Sequence, residues 1–144
     1  MASRTGGRNA GFTTGTPWLP IPPSHAACNV ARQEHDPSSL LGFYKTLIRI
    51  RKENPCLSAG SWRPLHRGED GLIGFERVAD DTSADVSGGF GRIAVIANMT
   101  GKRRTGKYDV SAYGRVMLST HDGAPALLAG AIELRPFEGV MLGP

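Results

Sequence analysis

From Leu40 to Ile50 the apolar residues recur with the 3.6-residue period of a helix, and beyond residue 60 they alternate with the two-residue period of strands. The stretch DPSSLLGFYKTLIRIRKENP, Asp36 to Pro55, predicts a helix over about 37–53. Asp36 is placed to cap the free N–H groups, and Pro37 suits the first helical position, where its missing donor would be unpaired anyway. Lys45, Arg49, Arg51 and Lys52 load the C-terminal half with positive charge, which the helix dipole favours. Asn54-Pro55 stops the helix, because the residue before a proline is pushed out of the helical region. At about 100° per residue, Leu40, Leu41, Phe43, Tyr44, Leu47, Ile48 and Ile50 spread over roughly 180°, whereas one partner needs a stripe of only about 100°. A half-circle predicts two partners, one on each flank. The chain after the helix can supply one, and the Pro- and Gly-rich chain before it does not supply the other. The expectation is a chain that is a piece of something larger or that binds something larger.

After the helix, Ser61 to Arg67 and Leu72 to Val78 predict strands, the second with Ile73 and Phe75 on one face. Ala79 to Gly91 is polar and predicts a loop. Arg92 to Met99 is almost continuously apolar, as a strand covered on both faces would be. Tyr108 to Val110, Arg115 to Ser119, Ala131 to Arg135 and Gly139 to Leu142 complete a set of short strands separated by turn residues. That spacing predicts a mostly β fold, an antiparallel sandwich or barrel.

Residues Met1 to Asp36 predict an irregular arm. Four prolines between Thr16 and Pro23 make it stiff and extended and keep it out of a sheet centre. Its large apolar residues, Phe12, Trp18, Leu19 and Ile21, need a surface to lie against, either another protein's or that of its own domain.

Composition adds bounds. At 144 residues the chain has room for one modest core, and 40% hydrophobic and 21% charged residues are ordinary for a globular protein. The formal charge is +4, densest at Lys102, Arg103, Arg104 and Lys107. No aromatic residue interleaves with these, so a solvated hairpin tip is favoured over a nucleic-acid patch. Cys28 and Cys56 lack partners at metal-ligand spacing. Two free thiols in a reducing compartment is the simpler reading, with a disulfide as the alternative. No run approaches a membrane span of about 20 apolar residues, and the N-terminus lacks a signal-peptide core. The cytoplasm is the expected location, with neither membrane nor nucleic acid as partner.

Candidate chemistry is sparse. Glu76 and Glu133 alternate with apolar residues and are expected to face water, and no carboxylate pair is set up for acid–base work. His121-Asp122 precedes Gly123 and predicts a turn rather than a catalytic pair. Asp80, Asp81 and Asp85 lack the alternation of a calcium loop. Phosphate-loop and dinucleotide glycine patterns are absent. The expectation is no catalytic residue, no metal and no cofactor.

Asn9-Ala10-Gly11-Phe12-Thr13-Thr14-Gly15 followed by Pro17-Trp18-Leu19-Pro20 closely resembles a stretch of glycoside hydrolase family 13, in its α-glucosidase and oligo-1,6-glucosidase branch. The resemblance continues through Asn29-Val30, Gln33, Asp36-Pro37-Ser38-Ser39, Phe43-Tyr44, Leu47-Ile48, Arg51-Lys52 and Asn54-Pro55. More loosely, Phe75-Glu76-Arg77, Leu134-Arg135-Pro136-Phe137-Glu138 and Val140-Met141-Leu142 resemble strands of the family's C-terminal domain. The resemblance implies residues 1–60 as a remnant of a catalytic (β/α)8 barrel, with the arm at 1–35 and the last barrel helix at about 37–53. It implies residues 61–144 as the C-terminal β-sandwich. The parent substrate would be an α-linked gluco-oligosaccharide, and the missing barrel would be the second partner of the helix. Phe12 and Trp18 are the only residues the resemblance brings near sugar. The family's Asp nucleophile, Glu acid/base and sugar-holding Asp belong upstream of Asn9, so the isolated chain is expected to be inactive. The chain is expected to be a truncated gene product or one with a misassigned start. Two further expectations are self-association through the exposed helix face and, as the alternative function, a non-catalytic module that binds carbohydrate or protein.

Overall fold

The helix forms as α2, Leu40–Glu53, three residues later than its first signal. Asp36 does not cap it. Its carboxylate oxygen instead accepts from the Ser38 amide at 2.9 Å and the Ser38 hydroxyl at 2.7 Å, closing a local turn. Those bonds, the hydroxyl's first, hold the Asp36 carboxyl below its usual range. The capping oxygen is Ser39 Oγ, which accepts from the Gly42 amide at 3.1 Å. Gln33 Oε1 accepts from the Leu41 amide at 3.0 Å. Two of the helix's free donors are thereby satisfied by side chains the periodicity did not single out. At the other end Asn54 donates to the Ile50 carbonyl at 2.7 Å, as a stop residue should.

The computed structural model describes residues 3–67, 71–79, 90–108, 112–128 and 130–144. It falls into two units, Met1–Arg49 and Ile50–Pro144, with the division inside α2. Unit 1 is less irregular than an extended arm. It contains 3-10 turns at Arg8–Gly11 and Pro23–Ala26 and a short helix α1, Val30–Gln33, which Asn29 Oδ1 caps at the Arg32 amide. The segment folds back on itself: the Val30 and Ala31 amides donate to the Ser3 and Arg4 carbonyls at 2.9 and 3.1 Å. On α2, Leu40, Tyr44 and Ile48, spaced by four, are each more than half exposed, while Leu41, Phe43 and Leu47 are half-buried.

Unit 2 is mostly β. A short helix α3, Cys56–Ala59, leads into antiparallel strands, eight among the described residues. They are β1 Ser61–Arg67, β2 Leu72–Val78, β3 Arg92–Asn98, β4 Arg104–Gly106, β5 Arg115–Ser119, β6 Ala126–Leu128, β7 Ala131–Leu134 and β8 Gly139–Gly143. The first sheet runs β1-β2-β3-β8-β5 and the second β4-β7-β6. Leu72, Ala94, Ile96, Val140 and Leu142 from the first sheet share one core with Ile132 and Leu134 from the second, joined by Tyr108 and Tyr113.

Several local expectations change. Ile73 and Phe75 share one face of β2 as expected, and the core face is the other one, Leu72, Gly74 and Glu76. Gly74 is required there, because a Cβ would stand 2.9 Å from the Tyr108 ring. Glu76 is buried and accepts a short hydrogen bond from the Tyr113 hydroxyl, which replaces the water it was expected to meet. A strand forms at Arg104–Gly106, so Arg104 of the basic cluster lies in a strand, and Arg103 pairs with Glu133 at 2.8 Å; the expected strand Tyr108 to Val110 lies mostly outside the described residues. Strand β6 has no counterpart among the expected elements. Asp80, Asp81, Asp85 and residues 109–111 lie outside the described residues.

Candidate functional site

The loop Arg8–Gly11 turns sharply because three consecutive residues adopt left-handed backbone: Asn9 at φ 54°, Ala10 at 53° and Gly11 at 74°. Asn9 and Ala10 are not glycines, so this conformation carries strain that the surrounding bonds must offset. The Ala10 carbonyl accepts from the Arg4 and Thr5 amides at 3.1 and 3.2 Å. The Asn9 side chain donates to the Thr13 carbonyl at 3.0 Å and the Gly15 carbonyl at 2.7 Å. The result is a loop pinned from within. With the Pro17–Pro22 segment it lines a cleft of ≈ 280 Å³ that includes Phe12 and Trp18. Trp18 is 88% exposed. Among the described residues no carboxylate, imidazole, thiol or cationic side chain lines this cleft, so it offers apolar surface, amide groups and the Ser3 and Thr13 hydroxyls but no acid–base pair.

The carboxylates elsewhere are engaged structurally. Glu138, fully enclosed, accepts from the Arg135 guanidinium at 2.6 and 3.0 Å, from the Arg135 amide at 2.8 Å and from Ser119 Oγ at 2.9 Å. These bonds, Arg135's first, outweigh burial and pull its carboxyl down to about 2, so it remains a fixed anion. Arg135 also donates to the Asp122 and Gly123 carbonyls at 2.7 and 3.1 Å, which makes His121-Asp122 part of a tethered bend. Cys28 is exposed and Cys56 buried, both as free thiols, and burial raises the Cys56 thiol pKa. Among the described residues there is no cluster of three His, Cys, Asp or Glu that could hold a metal. Nor is any helix among them long and apolar enough to cross a membrane.

Residues 3–60, which contain the pinned loop, the cleft, α2 and α3, match the Alpha-amylase family model, described as "Alpha amylase, catalytic domain". Over 138 residues, 92% of its length, the chain is 30% identical to the oligo-1,6-glucosidase of Bacillus cereus. The chain belongs to glycoside hydrolase family 13. Over 71 residues, 49% of its length and 13% of the relative's, it is 50% identical to the probable oligo-1,6-glucosidase 2 of Bacillus subtilis (strain 168). The crystal structure of trehalulose synthase MutB from Pseudomonas mesoacidophila MX-45 superposes on 98% of the chain with a TM-score of 0.80 and 30% identity. The chain covers 23% of the Bacillus cereus enzyme and 24% of MutB, so it corresponds to part of a family 13 glucosidase. The sequence motifs had pointed to this family. The left-handed backbone at Asn9 and Ala10 and the Arg135–Glu138 pair were not foreseen; the sole sequence signal for the first was the Asn-Ala-Gly run.

Proposed function

We propose that this chain is the structural, non-catalytic end of an α-glucosidase-like enzyme whose whole form hydrolyses α-linked gluco-oligosaccharides. In this reading residues 1–60 complete the catalytic barrel, 61–144 form its C-terminal β-sandwich, and the barrel is the partner that covers the open flank of α2. The observation that carries it is the exposed row Leu40, Tyr44 and Ile48 on a helix inside the segment that matches a catalytic domain. A row of large apolar side chains at helical spacing is the mark of a missing neighbour. The retaining chemistry of the family needs two carboxyls about 5 Å apart around the scissile bond, and the cleft of unit 1 contains none. Phe12 and Trp18 are assigned to face sugar, through an aromatic surface rather than through charge.

The test is turnover. The purified chain is expected to leave p-nitrophenyl α-glucoside intact. Hydrolysis abolished by changing one of its own carboxylates would overturn the reading. The 88% exposure of Trp18 favours a second reading, a module that binds carbohydrate by itself. Under that reading, millimolar isomaltose would change Trp18 fluorescence in the chain and in Trp62→Phe, but not in Trp18→Phe.

A further inference from the structure

We propose that, in the 144-residue chain standing apart from the barrel, the open flank of α2 is self-complementary and pairs antiparallel with the same flank of a second copy. The inference goes beyond the assignment of this flank to the barrel, and that assignment does not depend on it. The sequence of α2 makes the face fit itself. Leu40, Tyr44 and Ile48, 67%, 55% and 51% exposed, form a ridge at spacing four. Leu41, Tyr44 and Leu47 form a second ridge at spacing three, with Leu41 and Leu47 half-buried. The two ridges cross at Tyr44, so one helix can seat its ridges in the grooves of a copy at the shallow crossing of about 20°. A two-fold axis at Tyr44 then sets Leu40 against the partner's Ile48.

Charge selects the direction. One turn before Leu40 stands Asp36, exposed, in a turn whose carbonyl accepts from the Ser39 amide at 3.1 Å. One turn after Ile48 stands Lys52, also exposed, on the same continuous helix. The axis that pairs Leu40 with the partner's Ile48 pairs Asp36 with the partner's Lys52, and symmetry supplies this contact twice. A parallel pair would instead set Asp36 against Asp36 and Lys52 against Lys52. The antiparallel pair also opposes the two helix dipoles.

The face includes a recess for the incoming side chain. A groove of ≈ 390 Å³ is lined by Leu40, Leu41 and Tyr44 of the helix and by Pro22, Cys28 and Val30 of the segment before it. The partner's Ile48, opposite Leu40, is the residue placed to enter it. Area sets the strength. At the roughly 30–40 Å² per residue of standard interfaces, the roughly fifteen residues of this face supply about 500 Å² per copy. A total of about 1,000 Å² falls below the about 1,200–2,000 Å² of stable complexes, so the pair belongs with weak, short-lived ones. Its dissociation constant is expected to be micromolar rather than nanomolar.

The experiment is sedimentation velocity of the purified chain from low to high micromolar concentration at low salt. The unaltered chain is expected to pass from monomer to dimer, and Tyr44→Asp to remain a monomer. Asp36→Lys and Lys52→Glu are each expected to associate about tenfold more weakly, because each turns two attractions into two repulsions. Their equimolar mixture is expected to recover the unaltered affinity, since both contacts then join opposite charges again. All three positions are exposed, so the fold survives, which circular dichroism checks. Lys52→Glu decides alone if Asp36→Lys loses the turn that Asp36 closes with Ser38. A chain that stays monomeric throughout, or a dimer that Tyr44→Asp leaves intact, would overturn the proposal. So would single charge variants that associate like the unaltered chain, as a parallel pair would.

Discussion

Unit 2 encloses Leu72, Ile93, Ile96, Ile132, Leu134 and Leu142 completely, whereas among the described residues of unit 1 the one buried hydrophobic residue is Ala10. The other buried positions of unit 1 are polar: Ser3, Asn29 and Ser39. Six of its large apolar side chains, Phe12, Trp18, Leu19, Leu40, Tyr44 and Ile48, face outward, and Ile21, Leu41, Phe43 and Leu47 are only half-buried. Unit 2 is held by a core of its own. Unit 1 is held by backbone bonds, caps and a pinned loop, which fix a path for the chain but gain little from excluding water. Defined backbone with its apolar residues turned outward is what the proposed barrel partner would account for.

The sharpest way to break this contrast is to shorten matched leucines. Leu134→Ala, which opens a cavity between the sheets, is expected to cost about 2–5 kcal/mol in urea unfolding. Leu40→Ala removes the same atoms from an exposed helix position and should stay within about 0.5 kcal/mol. Equal costs would show that unit 1 buries its leucines after all.

A smaller effect tests the buried anion of unit 2. Glu138→Gln is expected to cost about 1.5–3 kcal/mol, the scale of hydrogen bonds to charged groups. The sign with pH follows from the depressed carboxyl. The stabilisation is fully present above the ordinary value of 4.5 and is lost as pH falls toward about 2. The melting temperature of the unaltered chain should therefore drop more steeply below pH 4.5 than that of Glu138→Gln. Parallel curves would mean the pair does not act as an ion pair in solution.

The smallest effect concerns unit 1, where local bonds do the holding. Ser39→Ala should cost about 1 kcal/mol of helix stability by far-ultraviolet dichroism. Asp36→Ala should cost less, because its carboxylate serves the Ser38 turn and not the helix. The reverse order would return the cap to Asp36.

The sequence determined the existence of α2, the two-residue period after residue 60 and the family. Each is written in neighbouring side chains: the apolar spacing of Leu40–Ile50, the alternation of the strands, and the Asn9–Gly15 and Pro17–Pro20 motifs. It also showed a helix apolar over a half-circle, and in the structure Leu40, Tyr44 and Ile48 on that arc are exposed. Only the tertiary structure decided which face of β2 is buried, because Leu72-Ile73-Gly74-Phe75 is apolar or small at both parities and the partner that shelters Glu76 is 37 residues away. It likewise chose Ser39 over Asp36 as the cap, since both are competent and the position of Gln33 beside Leu41 is not readable from spacing. The left-handed turn at Asn9 and Ala10 and the Arg135–Glu138 network also belong to the tertiary structure. Periodicity records which residues avoid water, but which polar groups meet is settled by contacts far apart in the chain.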